Sequence, residues 1–142
     1  MSGIDKIVNL EKHPINSLDT YVLDCYKKLN SQYILQLDNF LTLEALTNIK
    51  IEAENLKNQA YYCSQFHTIL LNKKDKLLDS EDPCNIEVKS DKGCVPHDLI
   101  PKNSYLNKLY NSKEFRKFIK NVLNLKNIHP YKDSLSSINY NY

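Results

Sequence analysis

The sequence is poor in the residues on which several kinds of functional site depend. Tryptophan is absent, only two glycines occur in 142 residues, and lysine supplies all but one of the 19 basic residues. Gly93 is the only glycine beyond Gly3, so no glycine-rich loop can surround a phosphate group. The scarcity of arginine argues against nucleic-acid recognition, which favours clustered basic residues and bidentate arginine contacts.

Signals for membrane insertion and export are also missing. No stretch approaches the roughly 20 apolar residues that a membrane-spanning helix needs, and residues 1–10 lack the basic and then apolar layout of a signal peptide. The four cysteines are widely spaced and are most simply reduced thiols: Cys25, Cys63, Cys84 and Cys94. We therefore predict a cytoplasmic protein with neither a membrane nor a nucleic-acid partner.

The sequence does contain several helix signals. Asn16 or Ser17 can cap a first helix. Thr42 can cap the longest predicted helix, residues 43–60, in which apolar residues recur every three or four positions and form one stripe. Ser112 can cap a further helix with the same spacing of apolar residues: Phe115, Phe118, Ile119, Val122 and Leu123.

The other segments are predicted as an arm, strands and a loop. Residues 1–16 are expected to be a flexible arm, because a His-Pro pair interrupts any helix there. Residues 33–37 are typical of a short strand, and residues 61–71 of an extended segment. Residues 72–101 are charged and lack periodicity, which indicates a long loop.

The last eight residues alternate apolar and polar as a half-buried β-strand does. Ile138 and both terminal tyrosines fall on one face, and Asn139 and Asn141 fall on the other. Nothing follows this strand to pair with it, and an unpaired strand leaves its backbone groups unsatisfied. We therefore expect residues 17–142 to form a single incomplete α+β domain, with helices first and a sheet that has barely begun.

The histidines do not have the spacing of a non-haem iron centre. Such a centre needs two histidines and one carboxylate, usually with a histidine and an acidic residue two positions apart. None of the four histidines is followed in this way by Asp or Glu: His13, His67, His97 and His129. We therefore predict that this chain, by itself, holds no catalytic iron and no other metal.

One part of the sequence nevertheless resembles a known enzyme family. The segment HDLIPKNSYLNKLY (residues 97–110), the helix capped by Ser112, and the YKDSL turn (residues 131–135) are similar to the N-terminal half of a group of Fe(II)- and 2-oxoglutarate-dependent oxygenases. That group includes the free-amino-acid halogenases and hydroxylase-like relatives. The similarity covers about residues 18–142, although Ser134 stands where the group usually has proline.

The resemblance implies a fold, two cofactors and several site residues. The fold would be N-terminal helices packed on the first strands of a double-stranded β-helix, or jelly roll, and the cofactors would be Fe(II) and 2-oxoglutarate. Asn139 and Asn141 would face the cosubstrate, while His67, His97 and Asp98 would brace a loop or lie on the substrate side. The substrate would be a small molecule such as an amino acid. Because the iron-binding motif is missing from this chain, it is expected to be inactive alone.

The same residues have other interpretations. Asn139 and Asn141 are equally well explained as cross-strand polar side chains, and His97 and Asp98 as a pair that fixes a loop through backbone hydrogen bonds. The whole chain can also be interpreted as a small helical binding module that completes its sheet with a partner chain.

Overall fold

The computed structural model describes residues 3–16 and 19–142. Over these residues the chain forms four α-helices and one sheet. The helices are α1 (Asp19–Gln32), α2 (Leu43–Leu56), α3 (Tyr105–Asn111) and α4 (Lys113–Val122). The strands, in the antiparallel order β1-β2-β3, are β1 (Tyr61–Thr68), β2 (Glu87–Val95) and β3 (Tyr140–Asn141). The α+β class predicted from the sequence is confirmed.

Side-chain caps begin three of the helices. The hydroxyls of Thr42, Ser104 and Ser112 accept hydrogen bonds from backbone N–H groups in the first turns of α2, α3 and α4. The predicted caps at Thr42 and Ser112 are therefore confirmed, whereas α3, with only seven residues, was not predicted. Ser17, the alternative cap for α1, lies outside the described residues. None of the helices in the described ranges is long and apolar enough to cross a membrane.

A first hydrophobic core joins the N-terminal segment to α1 and α4. Ile4, Val8 and Ile15 are buried against Cys25 of α1 and Phe118 of α4. Sequence analysis predicted a flexible arm over residues 1–16, but residues 3–16 form an ordered part of this core. Their apolar side chains are buried in the core, and a short 3-10 turn and a bridge between Val8 and Leu41 shape the segment before the His-Pro pair.

Buried His13 adds polar bonds that hold this segment in place. Its Nε2 bonds to the carbonyl oxygen of Asp38 at 2.9 Å, and its Nδ1 bonds to the hydroxyl of Tyr21 at 2.7 Å. Both ring nitrogens of a buried imidazole are thereby satisfied. As predicted, no helix runs through the His-Pro pair, and the histidine fixes the segment to α1 and to the turn before α2.

A second core lies between α2 and the sheet. Val95 of β2, Ile100 and Tyr140 of β3 are buried, and apolar residues of α2 pack against them. The α2 residues in this contact belong to the predicted stripe: Ile49, Ala53 and Leu56. The helix stripe and the alternation of the last strand therefore meet in one interface.

The predicted strand at residues 33–37 is wrong. Tyr33 ends α1 in the left-handed region with a φ of 58°, and the chain then runs in an extended but unpaired path. Leu35 and Leu37 pack against the first core, while Ile34 is 68% exposed. The apolar residues do alternate here, but no strand among the described residues pairs with this segment.

The predicted loop over residues 72–101 is wrong in its second half, because β2 lies there. All eight residues of β1 pair with β2, from Tyr61 opposite Cys94 to Thr68 opposite Glu87. The sequence of β2 shows no period of two because most of this ribbon is exposed on both faces. Burial on one face is what imposes alternation on a strand.

The expectation that the final strand lacks a partner is also wrong. Tyr140 pairs with Val95 and Asn141 with Cys94. Beyond this short ladder, Gly93 and Tyr142 exchange two backbone hydrogen bonds of 3.0 and 2.9 Å. Both errors, the loop over residues 72–101 and the unpaired final strand, arose because β2 was not predicted.

Candidate functional site

The sheet has one face covered by α2. From β3, the hydroxyl of Tyr140 donates a hydrogen bond of 2.7 Å to the Glu52 carboxylate, and the hydroxyl of Tyr142 donates to the carbonyl oxygen of Ala53. Val95, opposite Tyr140, is fully buried on the same face. Because side chains alternate along a strand, the residues between these point to the other face of the sheet.

The other face of the sheet is uncovered where all three strands lie side by side, and it carries the two predicted asparagines. Asn139 and Asn141 are exposed, and the Nδ2 of Asn141 donates a hydrogen bond of 2.9 Å to the Oδ1 of Asn139. Cys94 lies opposite Asn141, and exposed Tyr61 lies opposite Cys94. We call the face formed by these four residues the asparagine face.

The asparagine face offers binding chemistry rather than a nucleophile poised by a base. The Asn141 oxygen, the second N–H of Asn141 and both N–H groups of Asn139 stay available for a ligand, since the mutual bond uses one Asn141 donor and the Asn139 acceptor. Such groups suit carboxylates, amides or hydroxyls. The half-buried thiol of Cys94 has no histidine opposite it in the sheet.

His97 lies at a junction between the sheet and the segment before β3. Its Nε2 accepts a 3.2 Å hydrogen bond from the Nδ2 of buried Asn107, and its Nδ1 lies 3.4 Å from the carbonyl oxygen of Asp133. With Nε2 as acceptor, the N–H of this tautomer is at Nδ1, on the side of the Asp133 carbonyl oxygen. Tyr110 packs edge-on against the ring.

Asp98 contributes to this junction through its backbone. Its N–H donates to the carbonyl oxygen of Ser134 at 2.8 Å, and the N–H of His97 donates to that of Leu135 at 3.3 Å. The Asp98 side chain itself is exposed. These contacts fit the loop-bracing interpretation of the pair, because they fasten residues 133–135 just before the asparagine face.

The structure does not bring His67 near the other predicted residues. It lies at the far end of β1 opposite Val88, and its Nδ1 bonds to the neighbouring carbonyl oxygen of Thr68 at 2.8 Å. Cys94 lies six positions along β2 from Val88, which is about 20 Å along a strand. His67 therefore shares no site with Asn141.

The described residues do not fit an iron centre by themselves. Among residues 3–16 and 19–142, no three side chains of His, Cys, Asp or Glu come together in an arrangement that could hold a metal ion. Iron in an oxygenase would need ligands from outside the described part of the chain.

A groove of about 400 Å³ runs between α2 and residues 101–105 on another side of the molecule. Its acidic member, Glu52, already accepts the Tyr140 hydroxyl. Tyr105, which also lines it, donates a hydrogen bond of 2.5 Å to Glu44. None of the site residues predicted from the sequence lines this groove.

Sequence reasoning missed the residues that position the site. Tyr140 bonds to Glu52 and Tyr142 bonds to Ala53, which lie 88 and 89 positions away in the sequence. His97 bonds to Asn107, which is 10 positions away. Glu52 is an acidic residue beside the apolar stripe of α2, and this position was the one available signal. Partners so distant in sequence become visible only when helix and sheet pack.

Comparison with known proteins found no match to a protein family, a curated protein or a solved structure.

Replacing His97 by alanine should loosen the segment that leads to the asparagine face. The loss of two side-chain hydrogen bonds should lower the free energy of unfolding by about 1–2 kcal/mol. Hydrogen exchange at the Asp98 amide, which binds Ser134, should become faster. His67→Ala is the control, because its bond is local and should leave that amide unchanged. Equal exchange in both variants would contradict the bracing role.

Replacing Tyr140 by phenylalanine should flatten the loss of stability at high pH. Burial and the Glu52 carboxylate raise the pKa of Tyr140 above its ordinary value. The folded chain therefore keeps this proton above about pH 10, where the unfolded chain loses it. The stability that the group contributes is complete below that pH and is lost as the pH rises.

The measurement is urea unfolding at about pH 8 and about pH 10.5, on either side of the ordinary tyrosine pKa. The wild type should lose more stability between these conditions than Tyr140→Phe. Tyr33→Phe is the matched control, since this side chain is 88% exposed. A wild type and a Tyr140 variant that lose equal stability would contradict the expectation.

Proposed function

We propose that this chain is the N-terminal, helix-supported part of an Fe(II)- and 2-oxoglutarate-dependent oxygenase acting on a small molecule, such as an amino acid. The sheet would be the first strands of a jelly roll. The observation that carries the proposal is the asparagine face. Asn139 and Asn141 lie side by side on the sheet face opposite α2, where the three strands are paired and the helices leave that face uncovered.

The layering supports this proposal. In a jelly roll, two sheets face each other and the site lies between them, so supporting helices must pack on the outer face of a sheet. Here α2 covers the face of Tyr140, and the asparagines point away from it. The open face is thus on the side where a second sheet and a cosubstrate would lie.

The His97 junction supports the proposal in a second way. It involves the same HDLIP segment that carries the resemblance, and it fastens residues 133–135 directly before the asparagine face. His97 and Asp98 would position the first jelly-roll strand rather than touch the substrate. The four free cysteines fit the predicted cytoplasmic location.

The proposal assigns separate roles to this chain and to residues outside it. Fe(II) and 2-oxoglutarate would supply the oxidation chemistry. Asn139 and Asn141 would bind polar atoms of the cosubstrate, and the helices would hold the strands in place. The 142 residues alone should release no succinate from 2-oxoglutarate.

The test is a turnover assay on the complete protein product of the gene, with Fe(II), 2-oxoglutarate and a panel of free amino acids. Succinate release should depend on one of the amino acids. Asn141→Ala should raise the KM for 2-oxoglutarate at least about tenfold, since a hydrogen bond to a charged group is worth roughly 1.5–3 kcal/mol. Asn127→Ala, which changes an exposed asparagine elsewhere, is the control. A folded protein without turnover, or an unchanged KM in Asn141→Ala, would contradict the proposal.

A second candidate function is a binding module that completes its sheet with a partner chain. The observation that favours it is the outer edge of β3. Because Tyr142 directs its backbone groups to Gly93, those of Asn141 point away from β2. A partner strand along residues 138–142 would pair with them.

Size measurement of the protein in extracts of its source cells separates the two candidates. A discrete hetero-complex in which the Asn141 amide is protected from hydrogen exchange would favour the binding module. A free protein that turns over 2-oxoglutarate would exclude it.

A further inference from the structure

The outer edge of β1 lacks the features that normally keep an edge strand from pairing. Natural edge strands are protected by charged side chains, proline or bulges. β1 contains no Asp, Glu, Lys, Arg or proline, and its pairing with β2 runs without a bulge. Its neighbour β2 is charged along the same length, at Glu87, Lys89, Asp91 and Lys92.

The backbone groups on that edge can be assigned from the ladder. Gly93 directs its N–H and C=O to Tyr142, so the even-numbered residues of β2 direct theirs to β1. Their partners in β1 are the odd-numbered residues. The backbone groups that point to the free edge are therefore those of Tyr62, Ser64 and Phe66.

Thr68 provides an independent check of this assignment. It has the same parity as Ser64, and its N–H donates a hydrogen bond of 2.8 Å to the carbonyl oxygen of Asn72, outside the sheet. Asn72 thus occupies the edge beside Thr68. The stretch that stays open for pairing runs from residue 62 to residue 66.

This open stretch is complementary to itself. We propose that β1 pairs antiparallel with β1 of a second copy of the chain, about a two-fold axis at Ser64. Ser64 then lies opposite Ser64 of the other copy, and Tyr62 lies opposite Phe66. Each of these pairs exchanges two backbone hydrogen bonds, and moving the axis by one residue would leave fewer such pairs.

The side chains suit the same register. Tyr62 and Phe66 are 57% and 65% exposed. The pairing would place Tyr62 of each copy beside Phe66 of the other copy, forming two aromatic cross-strand pairs. Near the axis, Lys89 and Asp91 form a 2.9 Å ion pair, so these two charges partly offset each other. Because the contact uses the same edge in both copies, it closes at a dimer.

Sedimentation velocity over a concentration series, on the 142-residue chain, tests the proposal. The wild type should change from monomer to dimer. Ser64→Pro removes an N–H on the free edge but none used in pairing with β2, so it should weaken dimerisation at least about tenfold. Ser64→Ala is the control and should dimerise as the wild type does. If Ser64→Pro fails to fold, Phe66→Glu tests the same edge by placing a charge on it. This variant should fold, because Lys89 of β2 lies opposite position 66.

A cross-linking experiment tests the register. In a Cys63→Ser background, Ser64→Cys would bring two thiols together across the axis at a Cα separation of about 5.5 Å, which a disulfide tolerates. It should form covalent dimers on mild oxidation, whereas Gln65→Cys should not. A wild type that is monomeric at millimolar concentration, a dimer unaffected by Ser64→Pro and Phe66→Glu, or equal cross-linking of both cysteine variants would overturn the proposal.

Discussion

The attachment of the last strand to α2 is the interaction on which the rest of the structure depends. Tyr140 and Tyr142 each place a ring in the core between helix and sheet and donate a hydroxyl to α2, at Glu52 and at the Ala53 carbonyl. A buried hydroxyl left without a partner would cost about 1–3 kcal/mol, so these bonds fix the strand's rotation as well as its position. Once the tyrosines face the helix, the alternation of the strand places Asn139 and Asn141 on the opposite face.

This one-sided packing connects the fold to the proposed function. A sheet whose inner face is polar and uncovered, and whose outer face is held by a helix, is the geometry expected for one wall of a jelly-roll site. The His97 junction holds the approach to that wall, because imidazole and backbone bonds fasten residues 133–135. The free edge of β1 suits a second copy of the chain, and it starts at Tyr62, the residue after Tyr61 of the asparagine face.

Local signals in the sequence predicted the helices well and the sheet poorly. Thr42 and Ser112 cap their helices through short-range bonds that the sequence shows directly. The strand β2 was not predicted because it is exposed on both faces, so its sequence does not alternate. Residues 33–37 do alternate, but they have no partner strand in the described part of the chain and form no strand. The pairing of Asn139 with Asn141 followed from strand period alone. Contacts such as Glu52 with Tyr140 could not be predicted, because they join residues 88 positions apart.

We propose that this chain is one wall of an oxygenase whose iron ligands lie outside the described residues. The most direct test is to sequence the transcript that encodes the chain through the codon of Tyr142. The account predicts an open reading frame that continues with glycine and then a His-x-Asp or His-x-Gly motif. A stop codon immediately after Tyr142 would contradict it.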